Sequence, residues 1–317
     1  MSHKKVLITD YVHPVFLIGL KSMGYEFTYA PETRRTEMEF LLPVYTGVVI
    51  NTRCAIDRQT MERAKDLQWI ARIGSGLDII DLEAARELDI EVISAPEGNA
   101  QAVAEHAIGM LLNLSRKIIS ADRTTREGDW LREQHRGWEI AGKTIGIIGY
   151  GNNGSAFGRL WKGWNVKVLA YDKYLSGFGN EFIQETDLET LLKESNIISL
   201  HIPLTPETKE WIDDSFLTKC KAGFVLINTS RGKIVNLKAL LKALKSGHLK
   251  GACLDVLPNE PPMQSTEEQQ RLFLELANYE QVVLSPHIAG WTVESKRKIA
   301  EVLLSKIKPI FFNNEKT

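Results

Sequence analysis

Two patterns of hydrophobic and polar positions alternate along the chain. Short apolar runs rich in β-branched residues, beginning with KVLITD at 5–10, predict buried strands. Between them lie segments with apolar residues every three or four positions, such as VHPVFLIGLKSMG at 12–24, which predict helices. This repeated alternation is typical of α/β proteins, in which helices cover both faces of a parallel sheet.

One long helical run interrupts the alternation. Residues 99–128 predict the longest helix of the chain and a connection between two α/β units that divide near residue 100. The strand–helix alternation restarts with TIGIIGYG at 144–151 and continues to QVVLS at 281–285, before a last helix at 292–312 that could fold back onto the first unit. Two parallel-sheet units agree with a length of 317 residues.

Charge and cysteine content narrow the function classes. The 39 basic and 40 acidic residues are spread along the chain and give a net charge of −1, which argues against nucleic acid or a membrane surface as a partner. Cys54, Cys220 and Cys253 are odd in number and far apart, so we expect neither a disulfide framework nor a metal site. No apolar run is long enough to span a bilayer, and a reducing cytoplasm fits best.

The most specific motif is TIGIIGYGNNGSA at 144–156, a glycine-rich turn between a predicted strand and a predicted helix. Gly149 permits the tight turn, Gly151 lets the backbone approach a pyrophosphate, and Gly154 allows the helix to pack closely on the sheet. The backbone N–H groups of Asn152 and Asn153, at the helix start, face the phosphates. The glycine pattern alone fits an ordinary turn equally well, so its context decides the interpretation.

Asp172 supplies that context. It ends the next predicted strand, VKVLAYD at 166–172. An acid at this place binds both ribose hydroxyls of NAD and repels the 2′-phosphate of NADP. The strand, the glycines, the helix and the acid together predict a dinucleotide site with NAD as the cofactor.

Three charged or ionisable side chains follow predicted strands further along the chain: Arg231, Glu260 and His287. Because parallel strands end at the same edge of a sheet, we expect the three to converge on one crevice. Singly, they fit a surface cation, a solvated loop residue and a structural histidine. Behind a dinucleotide loop they predict a catalytic set: Arg231 binds a carboxylate, His287 transfers a proton, and Glu260 stabilises the protonated imidazole.

A family resemblance covers essentially the whole chain. The segments GYGNNG, NTSRG (228–232), LDVLPNEPP (254–262) and SPHIAG (285–290), with ARIGSGLD (71–78) and PEGNAQAVAEH (96–106), resemble the D-isomer-specific 2-hydroxyacid dehydrogenases. The resemblance implies two doubly wound parallel-sheet domains. A Rossmann NAD-binding domain, residues 100–288, would be inserted into a flavodoxin-like substrate-binding domain, residues 1–99 and 289–317. It also implies a homodimer built on the cofactor domain.

The resemblance also assigns site residues. It implies that Arg231, Glu260 and His287 form the catalytic set, and that Ser75 and Gly76 lie beside the substrate carboxylate. Further residues are implied to contact the cofactor: Ile202 under the adenosine, Thr229 and Ser230 at the nicotinamide, Asp255 at its carboxamide, and Gly290. His106, within VAEHAIGM, is interpreted as a structural residue because no second metal ligand is near it in the sequence.

Within the family, the likeness is greater to the members that oxidise D-3-phosphoglycerate in serine synthesis. A phosphate needs nearby cations, and the candidates are Arg72 and Arg132, with Arg53 and Arg136 as weaker ones. The chain would then be a short form without a C-terminal regulatory domain.

Asn51 and the pair Ile79–Ile80 depart from the pattern of those phosphoglycerate enzymes. Two alternatives therefore stay open. One is a glyoxylate or hydroxypyruvate reductase, with the same chemistry and no phosphate pocket. The other is an NAD-binding scaffold similar to transcriptional co-repressors. Glu260 stands where formate dehydrogenases carry glutamine, which disfavours that activity.

Overall fold

The computed structural model describes residues 4–313. In chain order the first elements are β1 (Lys5–Ile8), α1 (Pro14–Ser22), β2 (Glu26–Tyr29), α2 (Arg35–Leu41), β3 (Gly47–Ile50), α3 (Arg58–Arg63), β4 (Trp69–Arg72), α4 (Leu82–Glu87), β5 (Glu91–Ile93), α5 (Pro96–Arg116) and α6 (Ile118–Arg126). The following elements are β6 (Thr144–Ile148), α7 (Asn152–Leu160), β7 (Lys167–Tyr171), β8 (Ile183–Glu185), α8 (Leu188–Glu194), β9 (Ile197–Leu200), α9 (Asp214–Lys219), β10 (Phe224–Asn228), α10 (Leu237–Lys245), β11 (Leu249–Leu254), α11 (Glu267–Ala277), β12 (Val282–Leu284) and α12 (Val293–Asn313).

The chain forms two compact units. Unit 1 comprises residues 1–99 and 291–317, and unit 2 comprises residues 100–290. The sheet of unit 1 has five parallel strands in the order β2-β1-β3-β4-β5. Helix α12 packs on α1, where Leu304 lies against Gly19, and Lys306 Nζ bonds Glu97 Oε1 at 2.9 Å.

The sheet of unit 2 has seven parallel strands in the order β12-β11-β10-β9-β6-β7-β8. Chain order reverses between β6 and β9, which is the switch point where ligands bind in doubly wound sheets. Apolar side chains fill the space on both faces of this sheet. The prediction of two parallel-sheet α/β units is confirmed.

Polar caps fix where several helices begin. The carboxylates of Asp57, Asp81, Asp187 and Asp213 accept backbone N–H groups in the first turns of α3, α4, α8 and α9. Each such cap satisfies a donor that the helix leaves open, and stabilises it by about 1 kcal/mol.

The prediction of one long helix over residues 99–128 is wrong in its continuity. Helix α5 ends at Arg116, and α6 begins after Lys117, which has a left-handed backbone with φ of 53°. The Asn113 carboxamide accepts the Ile119 N–H at 2.8 Å, and Trp138 N–H bonds the Ser115 carbonyl at 2.9 Å. These bonds replace the helical ones and turn the chain.

None of the helices between residues 4 and 313 is long and apolar enough to cross a membrane. In the same residues, no group of His, Cys, Asp and Glu side chains has the arrangement of a metal site. Cys54, Cys220 and Cys253 are buried free thiols.

Candidate active site

The glycine-rich loop joins β6 to α7 and has the geometry of a dinucleotide cradle. Gly149 has φ of 89°, and a Cβ there would lie 2.5 Å from the His201 carbonyl oxygen. A Cβ at Gly154 would lie 1.9 Å from the Gly149 carbonyl oxygen. A Cβ at Gly151 would have no atom of the described part of the chain within 4 Å, so this side of the loop is open. A side chain at position 149 or 154 would therefore clash with the backbone, whereas the space beside Gly151 is free for a ligand.

Gly151 precedes the first turn of α7, and none of the described side chains caps that turn. The N–H groups of Asn152 and Asn153 belong to this turn and are therefore available to an anion, which the helix dipole also favours. The loop thus fits a pyrophosphate.

Asp172 lies against this loop. Its Oδ2 accepts the Tyr150 N–H at 2.7 Å, and its Oδ1 accepts the Tyr174 and Leu175 N–H groups at 2.9 and 3.0 Å. These bonds hold the carboxylate beside the glycine turn. A carboxylate has about four acceptor positions, so capacity remains for ribose hydroxyls.

Three more of the predicted cofactor residues, Ile202, Thr229 and Ser230, follow β9 and β10. The Ile202 side chain lies against Gly149, where an added Cβ would be 2.8 Å from it. Ser230 Oγ donates to the Leu200 carbonyl at 2.6 Å. Thr229 is 7% exposed, and its Oγ1 is buried without a hydrogen-bond partner among the described residues. Since buried hydroxyls are normally paired, this atom fits contact with a bound group.

Arg231 follows β10. Its Nη1 donates to the Ser230 carbonyl at 2.7 Å, and its own carbonyl accepts from Asn228 Nδ2 at 3.0 Å. Asn228 is fully buried, so it anchors the turn that carries the guanidinium. The residue itself is half-buried.

His287 and Glu260 are in direct contact, as the two predicted roles require. His287 Nδ1 lies 2.6 Å from Glu260 Oε2, and Leu257 N–H donates to Glu260 Oε1 at 2.9 Å. Burial acts to raise the pKa of Glu260, but the bonds from His287 and the Leu257 amide hold it below its ordinary value. An ionised carboxylate only accepts, so Nδ1 carries a proton and Nε2 faces away from Glu260 as the other functional nitrogen. The His287 side chain is 44% exposed and the Glu260 side chain is 36% exposed.

His287 has φ of 56°, the left-handed region that non-glycine residues adopt rarely. Such backbone persists where neighbours impose it, and it is concentrated at functional sites. A cavity of about 340 Å³ lies beside His287 and is lined by Asp255, Leu257, Glu260, Pro262 and Ser285 among others.

Asp255 organises the His287 loop, defined as residues 285–289. Its backbone carbonyl accepts the His287 N–H at 2.8 Å. Its Oδ1 accepts from Ser285 Oγ at 2.6 Å and Ile288 N–H at 2.9 Å, and its Oδ2 accepts Ala289 N–H at 2.9 Å. Asp255 is only 1% exposed, and its contact with the nicotinamide carboxamide stays a prediction.

Two partners of Asp255 were missed by the sequence reasoning. His106 Nε2 lies 2.9 Å from Ser285 Oγ and 3.4 Å from Asp255 Oδ1. Burial acts to raise the pKa of Asp255, but donors from His106, Ser285 and two loop amides hold it below its ordinary value. The interpretation of His106 as a structural residue did not include these contacts. Asp255 and Ser285 are distant from His106 in sequence. Only the position of His106 on one face of α5 could have indicated these contacts.

The predicted substrate residues of unit 1 lie at the end of β4 and directly after it. Arg72 Nη1 donates to the Ile73 carbonyl at 2.9 Å, and Ser75 Oγ donates to Asn99 Oδ1 at 2.7 Å. Ser75 and Gly76 are both half-buried. Ile80 is 6% exposed, and Ile79 also packs on the apolar core of unit 1. The isoleucine pair is therefore a packing feature of this chain.

The other candidate arginines differ in surroundings. Arg53 contacts the carboxylates of Asp10 and Glu32, and Arg136 pairs with Glu133 at 2.6 Å. These carboxylates already neutralise the two arginines, which lowers their value as phosphate ligands. Arg132 is an exposed side chain in unit 2. Arg72 and Arg132 therefore remain the predicted phosphate ligands, and Arg53 and Arg136 remain the weaker candidates.

Comparison with known proteins identifies the family. Residues 108–289 match the family model described as "D-isomer specific 2-hydroxyacid dehydrogenase, NAD binding domain". The chain belongs to this family. Unit 2 thus corresponds to the family's NAD-binding domain, and the prediction of NAD as the cofactor is confirmed. The cradle, the strand ends and the unpaired Thr229 hydroxyl fit that cofactor.

Curated relatives carry more than one activity. D-3-phosphoglycerate dehydrogenase of Archaeoglobus fulgidus is 35% identical over 96% of this chain and 56% of its own length. Hydroxypyruvate reductase of Thermotoga maritima is 37% identical over 86% of this chain and 87% of its own length. The chain thus spans only about half of the first relative's length.

Among solved structures, D-lactate dehydrogenase from Aquifex aeolicus, complexed with NAD and lactic acid, superposes with a TM-score of 0.85. The identity is 27%, and the match covers 98% of this chain and 96% of that chain. The shared architecture therefore extends over both units.

Replacing Asp172 by asparagine tests its ribose role. The neutral amide no longer repels a 2′-phosphate, so we expect the NADH/NADPH ratio of kcat/KM to fall about ten- to hundredfold. The control is Asp213→Asn, which removes a carboxylate that caps α9 through the Phe216 N–H. Steady-state kinetics with both cofactors measure the ratio. An unchanged ratio in Asp172→Asn would refute the assignment.

Proposed function

We propose that the chain is an NAD-dependent oxidoreductase that interconverts D-2-hydroxy acids and 2-oxo acids. The observation that carries this proposal is the His287–Glu260 pair, with Nδ1 and Oε2 2.6 Å apart, at the carboxyl end of the same sheet that carries the dinucleotide cradle. When bound, the reduced cofactor would donate a hydride and the oxidised cofactor would accept one. An acid–base residue beside such a cofactor is what carbonyl reduction requires.

Each side chain has a defined task in this proposal. His287 in its protonated form donates the Nε2 proton to the carbonyl oxygen during reduction, and takes it back during oxidation. Glu260 fixes the ring orientation and stabilises its charge. Arg231 binds the substrate carboxylate with two parallel N–H bonds. In unit 1, Ser75 and Gly76 stay the proposed substrate-binding residues.

For the substrate, we propose 3-phosphoglycerate and 3-phosphohydroxypyruvate. The support is the relative from Archaeoglobus fulgidus and the cations Arg72 and Arg132. Hydroxypyruvate or glyoxylate is the second candidate. It is favoured by the Thermotoga maritima relative, which matches over 87% of its own length, and by the carboxylates that occupy Arg53 and Arg136.

A panel of 2-oxo acids separates the two candidates. We expect NADH oxidation by the full chain to be fastest, in kcat/KM, with 3-phosphohydroxypyruvate. Arg72→Ala and Arg132→Ala are each expected to raise its KM about tenfold, by loss of a charge-assisted bond, while the KM for glyoxylate stays the same. Arg297→Ala, which removes a surface arginine paired with Glu301, is the control. A preference for hydroxypyruvate or glyoxylate would establish the second candidate instead.

We also propose a homodimer formed through unit 2. Helix α6 and the segment after it expose large apolar side chains: Ile118 is 53%, Ile119 66% and Trp130 75% exposed. Apolar side chains that remain this exposed favour a protein partner, and a second copy of the chain satisfies them symmetrically.

A further inference from the structure

We propose that His106 is a positioning residue for the His287 loop and acts on it through Ser285 and Asp255. The inference rests on the proposed function, because it concerns the placement of the proton donor. His106 lies on α5, whereas Ser285 follows β12 and Asp255 follows β11. All three residues belong to unit 2.

Hydrogen-bond directions connect the three side chains in one order. Asp255 is an acceptor, and Ser285 Oγ lies 2.6 Å from its Oδ1, so the single hydroxyl proton points to the carboxylate. The Met110 sulfur, 3.6 Å from the same Oγ, is a weak competing acceptor. Ser285 Oγ can then only accept from His106 Nε2 at 2.9 Å, so this nitrogen carries a proton.

Burial increases the energetic importance of these hydrogen bonds. The Asp255 side chain is 0% exposed, and the His106 side chain is 25% exposed. A buried carboxylate needs donors to offset its lost hydration, and a chain of donors strengthens each member. His106 supplies the outermost donor, and its Nε2–H also lies 3.4 Å from Asp255 Oδ1 itself.

The Asp255 carboxylate also holds the His287 loop in place. Asp255 binds the N–H groups of Ile288 and Ala289, which immediately follow His287, and its carbonyl binds the His287 N–H. His287 has φ of 56° and depends on such contacts to stay in that conformation. A small displacement of a proton donor lowers the rate strongly. Loss of the His106 donor therefore loosens Asp255, then the two amides, and finally the imidazole.

His248 provides a matched comparison on the same unit. Its Nε2 also makes a 2.9 Å hydrogen bond, to the Leu217 carbonyl, but His248 precedes β11 and therefore lies at the amino end of the strands, whereas the His287 loop lies at their carboxyl end. A purely structural role of His106 predicts that leucine at either position has similar local effects. A positioning role predicts an effect on the His287 loop from position 106 alone.

Hydrogen exchange of the protein without substrate tests the inference directly. His106→Leu is expected to accelerate exchange of the Ile288 and Ala289 amides about tenfold, because Ser285 and Asp255 lose a hydrogen-bond donor. His106→Gln keeps an N–H donor near the position of Nε2, and is expected to stay near the parent. His248→Leu leaves the two amides unchanged. Unchanged exchange in His106→Leu, or equal acceleration in His106→Gln, would overturn the proposal.

Kinetics of the same variants add a coupling test. His106→Leu and Ser285→Ala are each expected to lower kcat about tenfold with a smaller change in KM, and the double variant should be no slower than either alone. Ser285→Ala interrupts the series of hydrogen bonds from His106 to Asp255 without altering α5. It therefore remains informative if His106→Leu folds poorly. Multiplied effects in the double variant would show that the two residues act separately, contrary to the proposal.

The two readouts also separate this inference from the proposed function. If the parent turns over none of the 2-oxo acids while exchange responds as described, the proposed function fails and the positioning role stands. If the parent is active and exchange does not respond, the positioning role fails alone.

Discussion

His287→Ala is expected to lower kcat for reduction of the preferred 2-oxo acid about 10²–10⁴-fold, the usual contribution of a positioned acid–base residue. The alkoxide that forms on hydride arrival then lacks a proton donor within reach. NADH affinity should stay within about twofold of the parent, because the cradle and Asp172 lie on other strand ends. Stopped-flow measurement of single-turnover rates, with NADH fluorescence titration, gives both quantities.

The control for this substitution is His248→Ala, which removes a histidine bonded to the Leu217 carbonyl and far from β12 in sequence. It should retain parent kcat. Equal activity of His287→Ala and the parent would remove His287 from the mechanism. A loss of NADH binding of the same size as the loss of kcat would indicate that the substitution disrupts the cofactor domain instead.

The pH dependence of the same reaction has a defined sign. The proposed role of Glu260 needs its ionised form, so kcat should fall as pH falls through the pKa of this carboxyl group. The lowered pKa of Glu260 keeps the carboxylate ionised below the ordinary range of a glutamic acid. Glu260→Gln should lose this acidic fall, at a lower kcat throughout, because the amide does not ionise and no longer stabilises the charged ring. Profiles of kcat against pH for both proteins measure the difference.

Arg231→Ala is expected to lower kcat/KM about 10²–10³-fold, because a carboxylate loses its two-point cationic partner in a partly buried site. Arg231→Lys should recover little of the loss, since an ammonium cannot reproduce the planar fork. A substrate analogue in which an amide replaces the carboxylate should lose most of its activity with the parent and little more with Arg231→Ala. This insensitivity is the diagnostic result.

Arg297→Ala serves as the control, because it removes an exposed arginine whose partner is Glu301 on the same helix. Circular dichroism and the melting temperature of each variant exclude misfolding, which matters because Arg231 lies in a turn anchored by the buried Asn228. If Arg231→Ala discriminated between acid and amide substrates as strongly as the parent, the carboxylate role would be wrong.

The sequence by itself determined the sheet class and the residues at the strand ends. Apolar runs of four to five residues, such as Gly47–Ile50 and Phe224–Asn228, are buried throughout because parallel strands have covered faces on both sides. Residues that follow such strands are brought to one edge whatever their separation in sequence. This is why the glycine loop, Asp172 and the Glu260–His287 contact were predictable.

Local backbone and register were decided only by the tertiary structure. The break at Lys117 depends on bonds from Asn113 and Trp138, which no helical periodicity contains. The contact of His106 with Ser285 and Asp255 depends on which face of α5 meets the ends of β11 and β12. Strand ends converge by topology alone, whereas a helix face meets a particular partner only after packing fixes its rotation. Packing therefore decided the surroundings of Asp255.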